Sequence, residues 1–261
     1  MERNDGRGRT ALVTGGASGI GLATAGVLVR RGWRVVVSDI NAQANREAAA
    51  SIGAEAEPFD VVDEIATENA FRTIEARLGP IEALVANVGV IQSGGRPEDR
   101  SLKEFDRVIA VNLRGVYISC VAAGTRMIKR GHGGIVITGS VTASRTAPLH
   151  AYAPSKAAVV HMASCLAAAW GRSGVRVNAL SPGYVATPAL NDVIKRGQRD
   201  PMLLTEGSAL GRMVDPEEIG RGVAFLLSDD AAAITGINLP IDAGWLAGAH
   251  LTTYGGVPPP L

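Results

Sequence analysis

Aromatic residues make up only 4% of this 261-residue chain, cysteine occurs twice, and neither sign of charge is in excess. With so few aromatics, a core has to be built from Ala, Val, Ile and Leu, the small and branched side chains favoured by parallel strands sandwiched between helices. Cys120 and Cys165 lie in Ala-rich stretches without metal-type spacing and read as buried reduced thiols, with no disulfide framework. No segment approaches the roughly 18 apolar residues of a membrane span. Residues 1–10 are polar and lack the apolar core of a signal peptide, so the expected location is the cytoplasm. Lys and Arg number 26 against 25 Asp and Glu, a net charge of +1 with no long run of either sign, which gives no reason to expect nucleic acid or an acidic membrane as partner. His132, His150, His161 and His250 show no ligand spacing, and no metal is expected.

What the chain does have is 46% hydrophobic residues and 32 glycines, the composition of a globular domain with tight turns and close backbone approaches. One domain is expected, since α/β folds of about 250 residues routinely form a single unit. From Thr10 onward, short β-branched runs bounded by Gly, Pro, Asn or Asp alternate with longer stretches of helical periodicity. Strands are predicted at 11–13, 34–37, 56–59, 83–86, 135–138, 175–180 and 236–240, and helices at 20–31, 42–52, 63–78, 102–129, 151–171 and 216–227. A βαβα order with right-handed crossovers gives an α/β, Rossmann-type doubly wound parallel sheet of about seven strands with helices on both faces. Residues 1–9 read as a polar extension and 10–261 as the domain. Two segments break the rhythm, 92–101 and 188–215; the second follows a late strand's carboxyl end, where a substrate loop would sit.

The first strand runs into Thr14-Gly15-Gly16-Ala17-Ser18-Gly19-Ile20-Gly21 and then a helix. Gly15 suits the tight turn, Gly19 lets the main chain approach a pyrophosphate, and Gly21 permits close packing of helix on strand. N–H groups at the helix start would receive the phosphate charge. The spacing is TGxxxGxG rather than GxGxxG, and an ordinary βα turn is the competing reading. Asp39 ends the second strand 20 residues after Gly19. A carboxylate there accepts hydrogen bonds from both ribose hydroxyls of an adenosine and repels a 2′-phosphate, and no Arg stands at Ser18 or Ile40 to receive one. NAD is therefore expected over NADP, with a helix-capping aspartate as the alternative.

Tyr152-Ala153-Pro154-Ser155-Lys156 opens an Ala-rich helix, where a separation of four residues puts Tyr152 and Lys156 on one face. A phenol titrates near 10 unperturbed, so acid/base work at neutral pH needs that value lowered. The Lys156 ammonium, together with the positive charge of an oxidised nicotinamide, favours the phenolate. A YxxxK match alone is common by chance.

Taken with their neighbours, these residues resemble the classical short-chain dehydrogenase/reductase family across almost the whole chain. Thr14 to Gly21 is similar to the family's cofactor turn, Asp60-Val61 to the pair that meets the adenine, and Asn87-Val88-Gly89 to its Asn-Ala-Gly strand end. Asn112, Ser140, Tyr152 and Lys156 match the family's catalytic tetrad, and Pro182-Gly183-Tyr184-Val185-Ala186-Thr187 resembles the segment that contacts the nicotinamide carboxamide through the Val185 backbone and the Thr187 hydroxyl. The resemblance implies a cofactor set of Gly15, Ser18, Gly19, Ile20, Asp39, Ile40, Asp60, Val61, Asn87, Gly89, Tyr152, Lys156, Pro182, Gly183, Val185 and Thr187. Lys156 would hold the nicotinamide ribose, and Asn112 a water linking Lys156 to solvent. A ketone gaining hydride develops negative charge on oxygen, so Ser140 and Tyr152 would donate to it.

Two departures stand out: Val88 replaces an alanine, and Ser140 lies 12 residues before Tyr152, one fewer than in many relatives. Thr142 and Ser144 share that loop as alternatives to Ser140. Val141, Thr142, Leu149, Tyr184 and Met202, with His150, are candidate substrate-pocket residues. Asp242-Ala243-Gly244 resembles the family's C-terminal Asp-Gly-Gly turn. The implied assembly is a homotetramer or homodimer. The implied activity is a dehydrogenase acting on a polyol, sugar or similar secondary alcohol. A reductase of 3-oxoacyl thioesters on acyl carrier protein is the second reading, and a non-catalytic nucleotide-sensing module the third.

Overall fold

The computed structural model describes residues 6–258. Seven strands, β1 Thr10–Thr14, β2 Arg34–Ser38, β3 Glu55–Ala56, β4 Ile81–Ala86, β5 Gly133–Thr138, β6 Val175–Pro182 and β7 Asn238–Ile241, pair in the order β3-β2-β1-β4-β5-β6-β7. Every pairing is parallel. The winding reverses between β1 and β4, so a crevice opens at their carboxyl ends.

Helices α1 Gly19–Arg30, α2 Ala42–Ile52 and α9 Pro216–Leu227 cover one face; α3 Glu64–Leu78, α5 Val116–Arg130 and α6 Tyr152–Trp170 cover the other. Alternation along β1 feeds both layers. Leu12 packs with Val36, Phe71, Ile74, Leu84 and Met127, whereas Ala11 and Val13 pack with Leu28, Val35, Val37, Ile219 and Val223. Strands buried on both faces explain the near-continuous apolar runs, and each fully buried Leu or Ile side chain contributes about 2 kcal/mol.

The structure departs from the sequence expectations in several places. The third strand is Glu55–Ala56 rather than 56–59. The helix expected at 102–129 comprises α4 Leu102–Ile109, a π-helical turn Ala110–Gly115, and α5. Segment 188–215 is not a plain loop. It holds α7 Pro188–Lys195, capped by Thr187, and α8 Pro201–Thr205, capped by Asp200, each a capping side chain followed by proline at the first helical position. Residues 6–9 of the expected extension are tied to the domain, Gly6 N donating to Arg31 O at 2.8 Å and Gly8 N to Gly32 O at 2.9 Å; residues 1–5 and 259–261 lie outside the described residues. Cys120 is buried, and desolvation pushes its thiol up to about 12, but Cys165 is exposed, correcting its expected burial. The expectation that no segment approaches a membrane span is also corrected. Helix 102–130 is long and apolar enough to cross one, with a mean hydropathy of 1.4 over its 18-residue window, but half of that window is buried inside the protein, a core helix's pattern.

Candidate functional site

β1 delivers the glycine turn to the crevice. Gly15 and Gly19 take positive φ values of 64° and 53°. A Cβ on Gly21 would lie 2.1 Å from Gly15 O, so α1 packs directly on the turn it leaves. Asn87, at the exit of β4, straps three elements together. Its Nδ2 donates to Gly15 O at 3.1 Å, its N–H to Thr14 Oγ1 at 3.2 Å, and its Oδ1 accepts from Thr138 Oγ1 at 3.2 Å. Ser18 stands at the N-cap of α1 but makes no side-chain cap bond. Ile20 lies in the first turn of α1, packed against the core layer below.

A cavity of about 380 Å³ runs along this crevice, lined by Gly15, Asp39, Ile40, Asp60, Val61 and Val88 among others. The residue that caps α2 is Asn41, accepting from Ala44 N at 3.1 Å. Asp39 makes one local bond, from Asn41 N at 3.2 Å, and borders the cavity. Asp60 Oδ1 accepts from Val62 N at 3.0 Å and fixes the turn that presents Val61 to the cavity. Ser38 Oγ, on the same lining, is buried without a partner among the described residues. A glycine turn at a helix start, an open cleft, an unspent buried hydroxyl and a carboxylate at the next strand end fit a dinucleotide. From the far side, the segment after β6 reaches over the turn: a Cβ on Gly19 would meet Thr187 Cγ2 at 3.5 Å. Gly183 N donates to Ile241 O at 3.0 Å next to Pro182, and Val185 pairs with Val214.

The second cluster gathers at the start of α6. Lys156 is buried; its Nζ donates to Thr138 O at 2.8 Å and stands 5.7 Å from the centre of the Tyr152 ring. Ser140, two residues past the end of β5, stands close enough to Tyr152 to pull its phenol downward, and accepts from Thr142 Oγ1 at 2.9 Å. The shorter loop therefore leaves Ser140 in reach of the phenol, while Thr142 is bonded to Ser140 and Ser144 is exposed. Asn112 is aimed by the π-helical turn. Its Oδ1 accepts from Val90 N at 2.7 Å, and its Nδ2 donates to Val90 O at 2.9 Å and to Ser155 Oγ at 3.2 Å. A Cβ on Gly89 would come within 3.3 Å of Lys156 Nζ and 3.6 Å of Asn112 Oδ1, so strand exit, asparagine and lysine converge.

Burial pushes the Tyr152 phenol above its ordinary value, with the Ser140 hydrogen bond pulling the other way, and burial pushes the Lys156 ammonium down to about 8. In the protein without dinucleotide, desolvation is the larger influence on the phenol.

Of the substrate-pocket candidates, Val141 is buried beside Ser140, Leu149 is half-buried and His150 exposed. Tyr184 packs edge-on against Trp245 at 5.7 Å. Met202 is 74% exposed on α8 and is not walled in with them. Sequence reasoning missed Gln92, Ser155 and Trp245. Ser155 lies inside the YxxxK spacing but bonds through its hydroxyl to Tyr152 O at 2.7 Å, a contact that helical spacing does not announce.

A family model described as enoyl-(acyl carrier protein) reductase matches residues 15–246. D-threitol dehydrogenase of Mycolicibacterium smegmatis is 38% identical over 244 residues, covering 91% of this chain and 93% of that protein. A solved structure from Brucella melitensis named as a ribose-5-phosphate isomerase superposes with a TM-score of 0.94 at 39% identity, over 98% of this chain and 100% of that one. A short-chain type dehydrogenase/reductase from Mycobacterium marinum superposes with a TM-score of 0.84 at 30% identity, over 94% and 98%. The chain belongs to the classical short-chain dehydrogenase/reductase family. It is an oxidoreductase of that class, whose members use nicotinamide dinucleotides.

Proposed function

We propose that this enzyme interconverts a polyol, or a similar small hydroxylated secondary alcohol, and its ketone with NAD. The observation that carries the reading is the convergence of Ser140, Tyr152 and Lys156 beside Gly89, at the mouth of a cleft that ends on Asp39. Gly15, Ser18, Gly19 and Ile20 would hold the pyrophosphate, Asp39 and Ile40 the adenosine ribose, and Asp60 and Val61 the adenine. Asn87, Gly89, Pro182, Gly183, Val185 and Thr187 would border the nicotinamide half. When bound, NAD supplies the hydride acceptor and a positive charge that adds to that of Lys156.

Tyr152 takes the proton from the substrate hydroxyl, and Ser140 donates to the same oxygen as it becomes a carbonyl. Lys156 stabilises the phenolate electrostatically. Asn112 holds the Val90 backbone and Ser155, and so fixes the wall behind Lys156. A homotetramer or homodimer is proposed with it; Leu102, Phe105 and Tyr117 leave apolar surface exposed on helix 102–130 for such pairing.

The family model's description favours one rival, an acyl-thioester reductase, and the Brucella protein's name another, a redox-neutral sugar phosphate isomerase. A panel of D-threitol, other polyols, acetoacetyl and crotonyl thioesters and ribose 5-phosphate, assayed with NAD(H) and NADP(H), separates them. Polyol-dependent NADH formation supports the proposal. Thioester reduction without polyol oxidation, or ribose 5-phosphate conversion with flat nicotinamide absorbance, overturns it.

A further inference from the structure

Helix α6 carries Tyr152 and Lys156 yet starts without a cap of its own, because Ala151 stands at its N-cap and offers no side-chain bond. The first N–H groups of a helix have no partner within it and must find one elsewhere. Here the partner comes from 59 and 60 residues upstream: Gln92 Oε1 accepts from the backbone N–H of Ala151 and, at 2.9 Å, from that of Tyr152. Gln92 is buried, and it lies two residues beyond Val90, whose backbone grips Asn112 and through it Ser155 of α6. Segment 90–92, leaving β4 just past Gly89, thus holds the first turn of α6 at two points, one of them Tyr152's own amide.

We propose that Gln92 is a positioning residue for Tyr152. By capping α6 it fixes the first turn, and with it where the phenol oxygen stands relative to Ser140 and the β4 exit. This rests on the reading of Tyr152 as acid/base given above. A misplacement of about 1 Å at a reacting group is enough to cost about 100-fold in rate. Sequence pattern gives no warning of it, since a glutamine in a Gly-rich, charged loop reads as solvated.

The test compares the full chain with its Gln92→Met, Gln92→Asn, Gln92→Glu and Tyr152→Phe variants, using whichever panel alcohol the wild type oxidises fastest. Gln92→Met removes the acceptor, and Gln92→Asn withdraws it by one methylene. Either should lower kcat about 10–100-fold, leave KM and the NADH dissociation constant within about threefold, and raise the primary deuterium isotope effect on kcat. Gln92→Glu keeps an acceptor oxygen at the same reach and should recover at least tenfold of that loss. Wild-type kcat and isotope effect in Gln92→Met or Gln92→Asn, or a loss that Gln92→Glu does not recover, overturns the proposal. Amide hydrogen exchange over 149–156 should speed up at least tenfold in the Met or Asn variant, and this arm decides the question even if no alcohol is turned over; unchanged exchange overturns it. An active Tyr152→Phe removes the acid/base reading instead and leaves the exchange result on Gln92 standing.

Discussion

Ala243 has φ of 53°, a left-handed conformation that costs an alanine about 1 kcal/mol or more and a glycine almost nothing. The turn is kept in place by its neighbours: Ala243 O accepts from Ser208 Oγ at 2.7 Å and Leu210 N at 3.0 Å, and Asp242 caps Gly244 N at 2.9 Å and Leu246 N at 2.8 Å. Ala243→Gly, which restores the family's Asp-Gly-Gly turn, should stabilise the fold by about 0.5–1 kcal/mol after the added flexibility of the unfolded chain is subtracted. Urea denaturation checks this; a loss of stability would mean the turn is not strained. Lys156 carries a larger cost. Its ordinary value of 10.5 falls to about 8 in the folded protein, a penalty of about 3 kcal/mol at about 1.4 kcal/mol per unit. Below pH 8 both states are protonated and the penalty is full; between 8 and 10.5 the unfolded chain binds more protons, so stability rises with pH. Without dinucleotide, Lys156→Met should therefore be the more stable protein at pH 7, by up to about 2 kcal/mol once the lost Thr138 bond is subtracted. That lead should shrink as pH rises toward 10. Melting temperatures that differ by a constant amount over this range would contradict it.

At the scale of elements, β2 hands over directly to Asp39, the residue proposed above to meet the adenosine ribose. Asp39→Ala removes the carboxylate from the adenosine end of the cleft. It should raise KM for NAD about tenfold or more and improve the relative use of NADP, read from steady-state kinetics with both; an unchanged ratio would remove Asp39 from recognition. The glycine turn, Asp39 and the Tyr152–Lys156 pair were legible in the sequence because each is local: a strand, a turn and a helix start, or four residues on one helix face. The placing of Ser140 was legible too, since it follows a strand whose carboxyl end must face the crevice. Other elements were harder to read. Segment 188–215 read as a loop because two short helices, capped by Thr187 and Asp200, carry little periodicity within it. The Ala110–Gly115 turn changes the helical period only over six residues and keeps α4 and α5 continuous, so the pattern reads straight through it. Gln92 finds its partners through tertiary structure alone.

For the whole molecule, the strand order is what makes a site. Because the chain doubles back between β1 and β4, the exits of β1, β4, β5 and β6 all open on one crevice. Residues 87–92 and 140 meet α6 there, and residues 15–21 meet Asn87 and Thr187, although all are far apart in sequence. The two core layers hold the sheet rigid beneath them, and the cofactor cleft and the Tyr152 cluster share the wall made by Asn87 and Gly89. The central claim is that the half-buried Tyr152 phenol at this meeting point moves the proton. Tyr152→Phe deletes one oxygen and leaves the ring that packs under Lys156. Measured with the fastest alcohol and with NADH titration in parallel, kcat should fall by about 1,000-fold or more while the NADH dissociation constant stays within about threefold. Turnover within about tenfold of the wild type, in a variant that binds NADH normally, would contradict the claim.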